Sequence, residues 1–215
     1  MKSVLMSIRS EWCELIASSK KTLEVRKTKP KLKTPFNCYI YCTKGTNLQF
    51  WTGKRYSYAD DHSHNAFDKC GNGKVIGEFV CDKISEIRVF ENGNVQDFFF
   101  DNLSNTCLTY DEISEYIGRD GIGYNWHISE LVIYDKPREL GEFCCADIEA
   151  IKDCKHRFIM GQPEYYTKHG GWIKGSYGCC KSGETEWCEK CLTKPLRRPP
   201  QSWCYVKECE RNERA

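Results

Sequence analysis

The sequence predicts an α+β fold, in which short helices flank a small mixed β-barrel and a Cys-rich insertion precedes the last strand. Segments with a period of two outnumber those with helical spacing, and their spacing along the chain suits a small barrel. Nine of the 15 cysteines fall after residue 143. With 215 residues, 40% of them hydrophobic, the chain is long enough to bury a core without disulfides.

The first elements follow from local periodicity. Residues 3–8 form an apolar run that predicts a strand, and residues 11–19 show helical spacing with Ser10 available as N-cap. Residues 20–27 alternate, with Leu23 and Val25 on one side and Glu24 and Arg26 on the other. This pattern predicts a half-buried strand that presents a polar row.

The later elements are less regular. A Lys-rich connection with two prolines spans residues 27–35, and strands are expected at 36–42, 74–84, 124–134 and within 198–206. A short helix is expected at 109–117, with Thr109 or Asp111 as cap. The predicted organisation is a barrel over residues 1–143, a Cys-rich insertion over 144–197, and a closing strand and tail over 198–215.

Charge is strongly segregated although the formal net charge is only +2. Residues 1–55 carry +9, residues 56–150 carry −12 and residues 151–215 carry +5. A basic N-terminal third favours a polyanionic partner, whereas the alternative is that the oppositely charged parts complement each other in the fold.

No apolar run approaches the ~18 residues of a membrane span, and the first nine residues lack an uninterrupted signal-peptide core. We therefore expect a cytoplasmic protein with no membrane partner, and the sequence indicates no obvious protein partner. The odd cysteine count without an export signal favours reduced thiols.

The segment Ser-Lys-Lys-Thr-Leu-Glu-Val-Arg at residues 19–26 resembles the G-x-K-x-x-E-x-R signature of ASCH domains, which belong to the PUA-like superfamily. Lys21, Glu24 and Arg26 match the signature, and Ser19 replaces its glycine. The order of the following strands is also similar over about residues 1–140. Residues 199–206 resemble the closing strand of phage and bacterial members.

The resemblance implies a PUA-like barrel with a cleft beside the signature strand that binds RNA or a modified nucleotide. Some small relatives instead hydrolyse the amide of acetylated cytidine with a Lys, a Thr and a Glu. Lys21 matches their lysine, but Glu24 stands where they have the threonine, and Glu78 is a candidate for their Glu. The alternatives to binding are therefore an amidohydrolase or a ribonuclease, with Lys21 and Glu24 as catalytic residues, or an interaction protein whose barrel has lost its ligand.

The residue types of the signature strand suit nucleotide recognition. Arg26 supplies a planar donor fork for phosphate or a base edge, Glu24 can accept from an exocyclic amine, and Lys20 and Lys21 can neutralise phosphate. Trp51 with Lys54 and Arg55 adds an aromatic and basic group of the kind that holds single-stranded RNA. The alternative is that Glu24 and Arg26 form a structural ion pair.

His127, within a predicted strand, is interpreted as a hydrogen-bonded structural residue. The sequence Asp61-His-Ser-His64 could bind a metal but stays unassigned.

The Cys-rich segment predicts a structural zinc site. Its candidate ligands are soft thiolates at knuckle-like spacing: Cys179, Cys180, Cys188 and Cys191. Chelation would order a Gly-rich segment that has little apolar content. The alternative is a mobile insertion with inert thiols.

Overall fold

The computed structural model describes residues 2–45, 50, 70–97, 103–145, 158–159, 177–178 and 195–209. The chain divides into two compact units. The larger unit comprises Ser3–Leu140 and Pro199–Trp203, and the smaller comprises Met1–Lys2, Gly141–Arg198 and Cys204–Ala215. Within the described residues, no helix reaches the length and apolarity that crossing a membrane requires.

The larger unit contains two sheets and two α-helices. Its strands are β1 (Ser3–Ile8), β2 (Leu23–Arg26), β3 (Phe36–Cys42), β4 (Val75–Cys81), β5 (Ile84–Val89), β6 (Val95–Asp97), β7 (Ile122–His127) and β8 (Ser129–Arg138). Its helices are α1 (Ser10–Ala17) and α2 (Tyr110–Ile117), and a 3₁₀ turn spans Leu103–Thr106. One sheet has the order β8-β4-β3-β1 and the other β2-β7-β5-β6.

This architecture confirms the α+β class. Among the described residues, hydrogen bonding groups the strands of the larger unit into these two sheets, and closure into a single barrel stays a prediction. β1 and β3 pair in parallel, while the other strand pairs of the larger unit are antiparallel.

The core of the second sheet lies under α2. Ile113 and Ile117 lie four residues apart, so they share one face of the helix, and this face packs with Val25 and Ile87. Thr109 caps the helix in a capping box with Glu112, which confirms one of the two predicted cap residues. The packing leaves Val25 on the core side of β2 and places Glu24 and Arg26 on the opposite side.

Three local predictions were wrong. Ser10 is the first helical residue of α1 rather than its cap, and Arg9 occupies the cap position without a side-chain bond. The predicted strand 74–84 divides into β4 and β5. The predicted strand 124–134 divides into β7 and β8, because the chain there leaves one sheet and enters the other.

The smaller unit contains β9 (Phe143–Cys145), β10 (Phe158–Ile159), β11 (Tyr177–Gly178) and the last strand, β12 (Trp203–Glu208), whose first residue belongs to the larger unit. β9 pairs antiparallel with β12, and β10 with β11. Cys144 and Cys209 form a disulfide. The expectation of reduced thiols is wrong for this pair.

Candidate functional site

β2 carries the signature side chains on its polar face, but that face is buried. Glu24 and Arg26 are each 9% exposed as side chains, and Lys21, just before the strand, is 2% exposed. The alternation predicted the shared face of Glu24 and Arg26 correctly. The half-buried character that it also predicted is wrong, because β1 and the 3₁₀ turn supply partners for these charges and β2 is buried throughout.

Arg26 is held by three groups on different parts of the chain. Its Nη2 lies 3.0 Å from Glu24 Oε1 and donates to the main-chain carbonyl of Ser7 at 2.7 Å. Its Nη1 donates to Ser202 Oγ at 3.4 Å. Its Nε is buried and has no acceptor among the described residues. The two terminal nitrogens of the guanidinium are therefore held by these contacts, whereas the Nε–H donor stays unused.

Lys21 is also held by contacts to several groups. Its Nζ donates to the Thr106 carbonyl at 2.5 Å, lies 3.3 Å from Glu24 Oε2 and faces the ring of Trp12 at 5.3 Å from the centroid. Both oxygens are acceptors, so the two polar contacts use N–H donors of Lys21.

These three residues form a buried charged triad with one net positive charge. Removing charges from water costs several kcal/mol per ion, which an ion pair offsets only with good geometry and further hydrogen bonds. Glu24 Oε2, although close to Lys21, accepts no well-formed hydrogen bond from the described residues. The triad thus combines an excess positive charge with an unused donor and an unused acceptor.

An aromatic side chain of β7 adjoins the triad. Trp126 lies opposite Glu24 in the strand pair, is fully buried, and has an indole N–H without a partner among the described residues. Its ring meets Phe36 edge to face, with centroids 5.8 Å apart. The neighbouring residue, Asn125, lies opposite Val25, so its side chain projects to the other face of the sheet, where its amide donates to Asp97, which also accepts from Ser85. β7 therefore places an unused indole N–H donor beside the triad.

The structure brings together Lys21, Glu24 and Arg26. Lys20 is exposed, and its carbonyl accepts a bond from the Cys107 thiol at 3.4 Å. The other predicted site residues lie outside the described residues: Trp51, Lys54, Arg55, Cys179, Cys180, Cys188 and Cys191.

His127 has the structural contact that its strand position predicted. Its Nδ1 lies 2.6 Å from Asp82 Oδ1. Partial burial would raise the pKa of the Asp82 carboxyl, but the hydrogen bond and charge of His127, with a bond from Ser129, together lower it. The pair fastens β7 to the turn between β4 and β5.

The six cysteines before residue 143 are mostly buried core residues. Cys13, Cys38, Cys42 and Cys81 are buried, whereas Cys70 and Cys107 are half-buried. Burial raises the pKa of the Cys13 and Cys38 thiols well above the ordinary value, and that of Cys81 to about 12. Such thiols are poor nucleophiles. The described residues contain no cluster of three or more His, Cys, Asp or Glu side chains suited to a metal.

Sequence reasoning missed the groups that complete the triad. Two of them, the carbonyls of Ser7 and Thr106, belong to the main chain. Every residue has a carbonyl, so no sequence signal could have identified these two. The Trp12 ring lies on the helix face that the spacing predicted, but its contact with Lys21 depends on tertiary packing.

The chain matches no protein-family model and no curated protein. Among solved structures it is similar to the crystal structure of ASCH from Zymomonas mobilis, at 17% identity and a TM-score of 0.44 over 64% of this chain and 73% of that one. It is also similar to the crystal structure of a mutant of the same protein, at 16% identity and a TM-score of 0.44 over 65% of this chain and 77% of that one. At this identity and TM-score the similarity carries nothing about residues or activity. Both of these solved structures are of one ASCH protein.

Proposed function

We propose that the chain binds a nucleotide, either a modified nucleotide or one within RNA, at the polar face of β2. The observation that carries this proposal is the buried charged triad with its unused Arg26 Nε donor. A purely structural Glu24–Arg26 pair would be neutral, whereas Lys21 adds a positive charge that is 2% exposed. An anionic or strongly accepting ligand would compensate that charge.

The chemistry of the triad suits a nucleotide better than a simple anion. Arg26 offers guanidinium N–H groups to a phosphate or to base acceptors, and Glu24 offers an acceptor to an exocyclic amine. The small exposed area limits the contact to about one base edge or one phosphate, not a duplex. Trp203, whose ring centroid lies 5.8 Å from that of the buried Trp126, adds a half-buried aromatic ring on the same side.

The direct test is a titration of the protein with nucleoside monophosphates and a short RNA, monitored by calorimetry and by NMR of the indole N–H groups. Binding that is lost in Arg26→Gln supports the proposal. The matched control is Arg88→Gln, because Arg88 on β5 also pairs with a glutamate two residues earlier, at 3.3 Å, but on the surface.

Arg26→Gln can fail to fold, because it removes a buried charge partner. Ser202→Ala removes only the 3.4 Å contact to Nη1 and keeps the charge. In a folded Ser202→Ala protein, we expect nucleotide affinity to fall while the circular dichroism spectrum is unchanged. If the wild-type protein binds no nucleotide and no RNA, or if the Arg26 and Arg88 variants bind equally well, the proposal is wrong.

A further inference from the structure

The connection between β2 and β3 forms a second cationic surface, here called the basic loop (residues 27–35). It carries four lysines and no acidic residue: Lys27, Lys29, Lys31 and Lys33, all exposed. The loop begins directly after Arg26, so its position is tied to the signature strand. None of these residues belongs to the buried triad.

Two of the lysines are held over tyrosine rings. Lys27 Nζ lies 5.2 Å from the ring centroid of Tyr116 on α2, and Lys29 Nζ lies 4.8 Å from that of Tyr124 on β7. Neither lysine has an ion-pair partner within the part of the chain that the structure describes. The ring faces therefore position two ammonium groups that form an ion pair with no carboxylate among the described residues.

The basic loop is also anchored on the face of the sheet where the triad lies. Trp203 Nε1 donates to Thr28 Oγ1 at 3.0 Å, and the Trp203 ring packs on Trp126. Because Thr28 lies between Lys27 and Lys29, this bond fixes the loop where the two cation–ring contacts occur.

A cross-strand pair connects the two cationic groups. Tyr124 lies directly opposite Arg26 in the antiparallel pair of β2 and β7. Residues directly opposite each other project to the same face of a sheet. Arg26 and Tyr124 therefore lie on one face of the sheet, and Lys29 lies over the Tyr124 ring. The three residues form a row that leads from the buried triad to the exposed basic loop.

We propose that the basic loop, with Tyr116 and Tyr124, binds the sugar–phosphate backbone of a single-stranded nucleic acid that has one nucleotide at the triad. This inference rests on the proposed function and names its ligand class: an oligonucleotide rather than a free nucleotide. Lysines interleaved with partly exposed rings are typical of single-strand binding, in which phosphates contact the cations and bases stack on rings. Tyr116, at 39% exposure, offers such a ring.

The test compares two double variants in binding to an oligouridylate of about ten nucleotides. Lys27→Gln/Lys29→Gln removes both positioned cations. The control, Lys2→Gln/Lys136→Gln, also removes two exposed lysines, and Lys2 likewise lies over a tyrosine ring, that of Tyr205 at 3.8 Å. Affinity is measured by fluorescence anisotropy over a series of salt concentrations.

For the loop variant, we expect affinity at low salt to fall about tenfold or more. We expect the slope of log affinity against log salt to decrease by about 1.4, since each phosphate contact to a single strand contributes ~0.7. The ratio of oligouridylate to uridine monophosphate affinity should also fall. The control should match the wild-type protein in all three measurements.

Equal affinity and equal slope in the loop variant and the control would overturn the inference. So would equally tight, loop-dependent binding of polyglutamate, which would identify an acidic peptide surface. The two proposals fail separately. If mononucleotide binding depends on Arg26 but oligonucleotide binding does not depend on the basic loop, only the loop proposal is wrong. If oligonucleotide binding depends on the basic loop but not on Arg26, the triad proposal is wrong, and so is the placement of a nucleotide at the triad.

Discussion

Arg26 Nη2 lies 3.0 Å from Glu24 Oε1, and both side chains are 9% exposed. A second glutamate–arginine pair with the same two-residue spacing occurs on β5, where Arg88 Nη2 lies 3.3 Å from Glu86 Oε1 at exposures of 48% and 37%. The two pairs share residue types, spacing and strand context, but they differ in burial. Glu24 must also balance Lys21, whose ammonium lies 3.3 Å from its second oxygen.

Glu24→Gln should destabilise the protein by about 3 kcal/mol, because it leaves Lys21 and Arg26 buried without a compensating charge. Glu86→Gln should cost less than about 1 kcal/mol, since water screens that pair. Urea unfolding of both variants measures the difference. Equal free energies of unfolding would show that the triad is hydrated in solution.

Acetylated cytidine should not be hydrolysed faster than in buffer alone. The Lys21 side chain is 2% exposed, and its Nζ is engaged by the Thr106 carbonyl and the Glu24 carboxylate, so it is not placed to act on a substrate amide. Chromatography of the nucleoside after incubation with the protein provides the measurement. Turnover that disappears in a folded Lys21→Ala variant would establish the amidohydrolase alternative instead.

The Asp82–His127 pair should contribute stability that depends on pH. The pKa of Asp82 is lowered from the ordinary 3.8 in the folded chain, so its stabilisation is present above about pH 4 and is lost as pH falls through the lowered pKa. At 46% exposure of Asp82, the contribution should be below about 1 kcal/mol. The difference in free energy of unfolding between wild type and Asp82→Asn should therefore vanish in strong acid; a difference that is independent of pH would contradict this account.

The late cysteines remain candidates for a structural zinc site, and we expect about one zinc ion per chain in protein purified without chelator. The double variant Cys188→Ser/Cys191→Ser should lose it. The control Cys70→Ser/Cys107→Ser removes two half-buried thiols outside the segment and should keep the metal. Elemental analysis decides the question, and equal zinc content in all three proteins would exclude these ligands.

Local patterns predicted those elements whose determinants are close in sequence. Thr109 was one of the two predicted cap residues, and the residue that completes its capping box, Glu112, is only three positions away. The 124–134 segment was misjudged because its apolar pattern continues while the chain passes from one sheet to the other. Glu130, with φ of +47°, follows that transition, but a glutamate carries no sequence signal for a left-handed backbone.

The sequence alone determined the members of the triad: the alternation of residues 20–27 put Glu24 and Arg26 on one face, and the signature selected Lys21. It also concentrated positive charge next to that strand. Only the tertiary structure decided that the triad is buried, that main-chain carbonyls hold it, and that the basic loop lies over Tyr116 and Tyr124. The physical reason is distance along the chain: Thr106 is 85 residues from Lys21 and Ser202 is 176 residues from Arg26, so no local pattern encodes these contacts.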